Sequence, residues 1–201
     1  MVSKWIKAPL FVVLMSAMAI AAPSIGKPAP AFSGHGSDGK TYNLADFQGK
    51  YVVLEWYNPR CPFIRKHYDS GNMQQLQETY TAKGVVWLEI DSSAPGKEGY
   101  MIGKEAEFMR GKEKSKSTAT LLDSDNKIAL LYEAKTTPHM FVIDPKGILI
   151  YKGAIDDHNS ADAADIPKSK NYVSAALDQS MAGKKVSTPS TAPYGCGVKY
   201  K

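Results

Sequence analysis

Two cysteines are the residues of this 201-residue chain whose type suggests covalent chemistry. Cys61 stands in the run EWYNPRCPFIRKHY, directly before Pro62, and Cys196 stands in APYGCGVKYK near the end of the chain. A thiolate can attack a disulfide, accept a sulfur adduct or, together with imidazole, bind a soft metal ion. The elements around each cysteine decide which of these reactions is open to it.

Cys61 occupies a position where a thiol is expected to be reactive. Proline favours the first position of a helix, so Pro62 predicts that a helix begins beside Cys61. The unpaired N–H groups and the positive dipole at a helix start stabilise a thiolate and lower its pKa. Arg60 and Arg65 are close in sequence and are expected to lower the pKa further. The alternative is a buried, inert cysteine, which is the common fate of a free thiol.

The elements that must position this cysteine follow from hydrophobic periodicity and turn residues. They are, in order, a hairpin before residue 50, a strand over 51–57, a helix from 61 to about 83, a strand over 85–90, a polar insertion over 92–118 with a helical middle, a short strand and helix in TATLLD and KIALLY, a β-hairpin over 139–153, a helix over 171–181 and a tail over 183–201. This order predicts an α/β fold with a central mixed sheet flanked by helices.

Four segments carry a resemblance to a known family. GKPAPAF, GKYVVLEWYNPRCP, TTPHMFVIDPKG and YKGAIDD follow one another in this order. They resemble the redoxin branch of the thioredoxin superfamily, and more closely the exported peroxiredoxin-like proteins of the AhpC/TSA type that carry one site cysteine. The similarity spans roughly residues 25–200. It implies a thioredoxin-like domain over residues 22–182 and an oxidoreductase activity.

The resemblance also implies where substrate would bind. In the superfamily, the Thr-Pro pair that matches Thr137 and Pro138 has a cis peptide bond, lies against the site cysteine and can pair with an extended substrate segment. We expect Thr137, Pro138, Asn58 and Pro62 to bind substrate. An ordinary trans proline that opens a strand is the alternative interpretation of Pro138.

The chain departs from the family pattern at two places. The second cysteine of a thioredoxin Cys-x-x-Cys motif is replaced by Ile64. The Pro-x-x-x-Thr/Ser-x-x-Cys motif of peroxiredoxins is also absent, because Leu54 and Asn58 stand where its proline and hydroxyl residue would be. A single thiol that attacks a disulfide needs a second thiol to release the mixed disulfide, so a partner for Cys61 must come from elsewhere.

Cys196 is the candidate for this partner. Gly195 and Gly197 flank it and allow close approach of the backbone. A flexible tail of about fifteen residues beyond the last helix can reach across the domain, because an extended chain spans ~3.3 Å per residue. We predict that Cys196 resolves adducts on Cys61 by forming an intramolecular disulfide. A static structural disulfide and a tail thiol that pairs with another chain are the alternatives.

The N-terminus predicts export. Lys4 and Lys7 precede the apolar run APLFVVLMSAMAIAA, and Ala19-Ile20-Ala21 fits a cleavage site, with Ala17-Met18-Ala19 as the alternative. This pattern is typical of a secretory signal peptide over residues 1–21, and the run is shorter than the ~20 residues of a spanning helix. We expect a periplasmic or secreted protein without a membrane contact after cleavage. An uncleaved membrane anchor is the alternative.

Charge and composition restrict the partners. The net charge of +5 is dispersed, and its densest patch, Lys112, Lys114 and Lys116, lacks interleaved aromatic residues, so no nucleic-acid binding is predicted. The acidic run at Asp156 and Asp157 predicts a solvated loop rather than a cation site. We predict no metal and no cofactor, although Cys61 with His67 or His139 has the donor types that suit copper.

Three functions remain open. The first is an exported thiol–disulfide oxidoreductase with Cys61 as nucleophile and Cys196 as resolving thiol. The second is a peroxiredoxin-like thiol peroxidase with an antioxidant role. The third is a non-catalytic redox-sensing or copper- or thiol-binding module. The expected partners are a thiol or disulfide substrate or a peroxide, and a thiol that donates electrons.

Overall fold

The computed structural model describes residues 22–201, so the predicted signal peptide lies outside the described residues. The helices are α1 (Pro62–Asp69), α2 (Asn72–Thr81), α3 (Gly103–Glu113), α4 (Lys127–Tyr132) and α5 (Tyr172–Met181). The strands are β1 (Ser33–His35), β2 (Thr41–Asn43), β3 (Val52–Trp56), β4 (Val86–Asp91), β5 (Ala119–Leu122), β6 (Thr136–Thr137), β7 (Met140–Ile143), β8 (Leu149–Gly153) and β9 (Cys196–Gly197). Across residues 22–201, no helix has the length and apolar character needed to cross a membrane.

A five-stranded mixed sheet forms the centre of the molecule, with the strand order β5-β4-β3-β7-β8. Strands β3, β4 and β5 run parallel, while β7 is antiparallel to both β3 and β8. Strands β1 and β2 form a separate N-terminal hairpin. The predicted thioredoxin-like α/β fold with an N-terminal hairpin is therefore confirmed.

Both faces of β3 are buried because the strand lies in the middle of the sheet. Val53 joins a core cluster that includes residues of α1, α2 and α5, whereas Leu54 and Trp56 join a second cluster that includes residues of α4. Complete burial of such a side chain stabilises the fold by about 1.5–3 kcal/mol. This packing fixes the carboxyl end of β3, from which residues 57–60 lead to Cys61.

The single helix predicted from residue 61 to about 83 is wrong, because two helices occupy this range. Helix α1 ends at Asp69, and α2 begins after Gly71, whose φ of 79° lies in the left-handed region. Glycine adopts this conformation without the steric penalty of a Cβ atom. The spacing of Met73, Leu76 and Tyr80 is regular within α2 and does not reveal the break before it.

The tail is docked on the domain, which corrects the prediction of a flexible segment. Strand β9 pairs with β6, and the Val198 N–H donates to the Lys135 carbonyl at 3.1 Å. The Tyr200 hydroxyl donates to the Ala134 carbonyl at 2.6 Å. The main-chain groups of an extended segment are paired here with a neighbouring segment, and such pairing leaves no hydrophobic period in the sequence.

Two carboxyl groups are buried under α1, at Glu55 on β3 and at Glu89 on β4, which are register partners. The Tyr68 hydroxyl lies 2.9 Å from one oxygen of each carboxyl group and ties α1 to the sheet. The Trp87 ring N–H donates to Glu55 at 2.7 Å. Burial, together with the nearby charge of Glu89, raises the pKa of Glu55 to about 8.

Replacing Glu55 by glutamine should make the protein less sensitive to alkaline pH. The folded-state pKa of Glu55 exceeds the ordinary value of 4.5, so the folded chain keeps a proton that the unfolded chain has lost. The free energy of unfolding should therefore decrease as pH rises between these two values, by on the order of 5 kcal/mol in total. Glutamine carries an N–H in place of that proton and does not ionise. The free energy of unfolding of Glu55→Gln should therefore change much less over this pH range.

Urea unfolding at pH 6 and pH 9 measures the effect, with exposed Glu78→Gln as the matched control. The Glu78→Gln variant should follow the wild type at both values. If Glu55→Gln loses as much stability between pH 6 and pH 9 as the control does, the buried proton on Glu55 is excluded.

Candidate active site

Cys61 lies at the N-terminal cap of α1, where its carbonyl accepts the Arg65 N–H at 2.9 Å. Pro62 is the first residue of the helix, as predicted. The Cys61 residue is 2% exposed, and its thiol donates to the Thr137 carbonyl at 3.0 Å. The site sulfur is thus held between a helix start and the short strand β6.

The Thr137–Pro138 peptide bond is cis, as predicted. It follows β6 directly, so Thr137 presents its carbonyl to Cys61 and takes part in the pairing with the tail. In that pairing, Thr137 is the register partner of Cys196. The short β6 segment therefore brings the two cysteines close together, although they are far apart in the chain.

Gly195 allows the tail to approach this closely. Its φ is 129°, and a Cβ atom at this position would lie 2.2 Å from the Thr137 carbonyl oxygen. Any residue other than glycine would force the tail and β6 apart. The two thiols are free in this structure, with Cys61 buried and Cys196 partly exposed.

The two thiols differ in acidity. Burial opposes ionisation of Cys61, but hydrogen bonds from the side chains of Cys196 and Thr137 and from the Ile64 N–H outweigh it and hold the pKa of Cys61 below its ordinary value. Burial, together with the hydrogen bond and charge of the adjacent Cys61, raises the pKa of Cys196 to about 12. Cys61 is therefore the thiol that ionises first.

The arginines predicted to lower the pKa of Cys61 lie in different environments. Arg65 forms ion pairs with Asp69 at 3.1 Å and with Glu113, so carboxylates balance its charge. The Arg60 side chain is exposed, while its backbone N–H donates to the Asn58 side chain at 2.8 Å. The largest favourable contributions to Cys61 ionisation come instead from hydrogen-bond donors around the sulfur.

Asn58 and Pro62, which were predicted to bind substrate, flank Cys61 in different ways. The Asn58 side chain is buried and donates to the Glu98 carbonyl at 2.9 Å, which connects the site loop to the insertion before α3. Pro62 is exposed beside the sulfur. Their contact with a substrate stays a prediction.

A buried polar cluster beside α1 was not predicted from the sequence. The Asp156 carboxylate pairs with the Lys66 ammonium at 3.4 Å and accepts a hydrogen bond from the Tyr194 hydroxyl. Asp156 is 3% exposed, so its predicted place in a solvated loop is wrong. The ring of Tyr194 also packs on Phe63, with centroids 5.8 Å apart. Through Tyr194, the cluster joins α1 to the tail two residues before Cys196.

The histidines considered for copper lie in separate environments. His67 is buried beside Asp156, and burial lowers its pKa to about 4. His139 is buried and accepts the Lys135 N–H through Nδ1 at 3.2 Å. Within residues 22–201, no group of three or more histidine, cysteine, aspartate or glutamate side chains is arranged to hold a metal ion.

Comparison with known sequences gives two findings. The sequence profile described as the AhpC/TSA family matches residues 25–152. The chain is 27% identical over 130 residues to the thiol-disulfide oxidoreductase ResA of Bacillus cereus, covering 64% of this chain and 68% of that protein.

Solved structures share the fold. A hypothetical protein from Sinorhizobium meliloti superposes with a TM-score of 0.74 at 22% identity, over 90% of this chain and 97% of that one. The thioredoxin domain of a thiol-disulfide oxidoreductase from Bacteroides vulgatus has a TM-score of 0.52 at 21% identity, over 73% of this chain and 98% of that one. The fold is therefore thioredoxin-like.

Proposed function

From the premise that this chain belongs to the AhpC/TSA family, we propose that it is a thiol–disulfide oxidoreductase in which Cys61 attacks the substrate and Cys196 resolves the adduct. The observation that carries the proposal is the register pairing of Cys196 with Thr137, whose carbonyl accepts the Cys61 thiol at 3.0 Å. The similarity to the ResA protein supports the same reaction class.

In the first step, the Cys61 thiolate attacks one sulfur of a disulfide. A bond forms between Cys61 and that sulfur, the substrate S–S bond breaks, and one substrate thiolate leaves. The lowered pKa of Cys61 supports this step, because the thiolate is the attacking species. The Thr137 carbonyl and Pro138 are proposed to shape the surface that the substrate meets.

In the second step, Cys196 loses its proton to solvent and attacks the Cys61 sulfur. The Cys61–Cys196 disulfide forms, and the second substrate thiolate leaves. The raised pKa of Cys196 would slow this step, but part of the rise comes from Cys61 itself. Once Cys61 is bound in a mixed disulfide it is no longer a thiolate, so the pKa of Cys196 should fall when its attack is needed. An external dithiol then donates two electrons and two protons, which restores both thiols and leaves the donor as a disulfide.

We also propose that the protein is exported to the periplasm or secreted. This proposal rests on the basic and apolar pattern of the N-terminal run and its Ala-x-Ala site, which lie outside the described residues. In an oxidising compartment, a pair of cysteines in one domain can cycle between dithiol and disulfide.

A turnover assay tests the proposal. The reduced protein is mixed with oxidised glutathione and, separately, with hydrogen peroxide, and a dithiol donor regenerates it in each case. Rapid reduction of the disulfide that depends on Cys61 is expected. Rapid peroxide consumption without disulfide exchange would favour the thiol peroxidase, and stoichiometric copper retention with neither activity would favour the binding module.

A further inference from the structure

Strand β6 has a main-chain edge that β9 occupies. Within residues 22–201, β6 has no strand partner other than β9. The pairing joins Thr136 to Gly197 and Thr137 to Cys196, directly beside the Cys61 sulfur. A free sheet edge binds an extended polypeptide through main-chain hydrogen bonds, so this edge would otherwise receive a polypeptide segment at the sulfur.

We propose that the tail segment 194–198 determines substrate specificity: it excludes polypeptides from Cys61 and admits low-molecular-weight disulfides. This inference rests on the proposed function for the identity of the reaction, but it concerns access to the sulfur. It assigns a specificity role to Tyr194 and Gly195, which touch Asp156 and the Thr137 carbonyl.

The tail segment is attached at both ends, so it leaves β6 as a unit. Before Cys196, the Tyr194 hydroxyl is bound to the buried Asp156 carboxylate. After it, the Val198 N–H donates to Lys135, and the Lys199 carbonyl accepts the Ala94 N–H at 2.9 Å. A polypeptide that pairs with β6 must displace this whole segment.

A small disulfide needs much less displacement. The Cys196 side chain lies against Cys61 and is itself partly exposed. Rotation of that one side chain about its Cα–Cβ bond opens a path to the sulfur while the main-chain pairing of β9 with β6 stays intact. Side-chain rotation is a fast local motion, whereas release of a paired segment is a local unfolding event.

Two alanine substitutions in the tail segment separate a displaced tail from a docked one. In Gly195→Ala, the new methyl group would lie 2.2 Å from the Thr137 oxygen, so the segment must lift from β6. In Gly197→Ala, the methyl group meets nothing within 4 Å, so the segment should remain docked. A second pair, Tyr194→Phe with Tyr80→Phe as control, removes one tyrosine–aspartate hydrogen bond at the tail or at distant Asp178.

The experiment measures access to Cys61 with two activated disulfides. Every variant also carries Cys196→Ser, so Cys61 is its only thiol. One probe is a pyridyl disulfide on cysteamine, and the other is the same group on the central cysteine of a short extended peptide. Attack by Cys61 forms a mixed disulfide and releases pyridine-2-thione, whose absorbance gives the rate. Circular dichroism verifies that each variant keeps its secondary structure.

With the tail docked, the peptide should react at least about ten-fold more slowly than the cysteamine probe, as expected when paired main-chain groups must be released first. Gly195→Ala and Tyr194→Phe should raise the peptide rate several-fold more than the cysteamine rate, and the two controls should raise neither. Equal rates for both probes on the docked protein would overturn the proposal. So would equal acceleration of both probes, or no acceleration in either tail variant.

These rates report access alone. A protein that shows the expected selectivity but fails the turnover assay would contradict the proposed function and leave the specificity role in place. A protein that turns over oxidised glutathione but reacts with both probes at equal rates would contradict the specificity role and leave the proposed function in place.

Discussion

Replacing Cys61 by serine should reduce the rate of disulfide exchange by on the order of a thousand-fold or more, because the nucleophile of the first step is removed. A serine hydroxyl does not ionise near neutral pH and does not attack sulfur at a useful rate. The remaining thiol, Cys196, is a weak substitute, since burial raises its pKa. The measurement is the initial rate of oxidised glutathione reduction, with the melting temperature as evidence that the fold is kept.

Serine is close in size to cysteine, so the helix start at Pro62 should be retained in this variant. The matched control is Ser92→Ala, which removes a buried hydroxyl outside the site. If Cys61→Ser keeps more than about a tenth of the wild-type rate of disulfide exchange, Cys61 is not the nucleophile.

Replacing Cys196 should stop turnover after the first step, because the adduct on Cys61 can no longer be displaced from within the chain. Both Cys196→Ser and Cys196→Ala should release one substrate thiol per protein and then accumulate the Cys61 mixed disulfide. The steady-state rate should fall by about a hundred-fold or more when resolution depends on an external thiol. Intact-mass measurement during turnover detects the adduct.

The two variants should differ in the pKa of Cys61. The Cys196 side chain donates a hydrogen bond that lowers the pKa of Cys61, and a serine hydroxyl can replace this donor whereas a methyl group cannot. Cys196→Ala should therefore raise the pKa of Cys61, so that the first step slows at pH 6 and recovers as pH rises. Cys196→Ser should show less of this shift. Equal pH profiles for both variants would exclude hydrogen bonding by the side chain at this position.

The local features of the site could be predicted from the sequence. A buried strand a few residues before Cys61 and a proline just after it predict a helix start, and the structure has one there. The run TTPHMFVID predicted the cis bond at Pro138 through a family resemblance. Each of these features depends on residues that are neighbours in the chain, and local patterns carry such information.

The features missed by the sequence depend on contacts between distant residues. Asp156 looks like one member of an acidic surface run, and only the approach of Lys66 and Tyr194 makes it a buried anchor. The tail has few apolar residues and no period, yet its main-chain groups pair with β6. Hydrogen bonds between main-chain groups require no particular side chains, so they leave little trace in a single sequence.

The same contacts explain how a site cysteine can act without a second cysteine in its own motif. Ile64 occupies the position of the local partner, and the β6–β9 pairing brings Cys196 next to the Cys61 sulfur. In the proposed mechanism, the resolving thiol therefore belongs to the segment that also covers the site. Resolution and substrate selection then depend on the same few hydrogen bonds between the tail and the domain.

Peptide mapping by mass spectrometry tests the pairing of the two cysteines most directly. The folded protein is equilibrated in a series of reduced and oxidised glutathione mixtures, quenched with acid and digested without reductant. The account predicts that the main oxidised species contains a Cys61–Cys196 disulfide within one chain, lighter than the reduced protein by two hydrogens. A folded, oxidised protein in which each cysteine is free or carries its own glutathione, with no link between them, would contradict it.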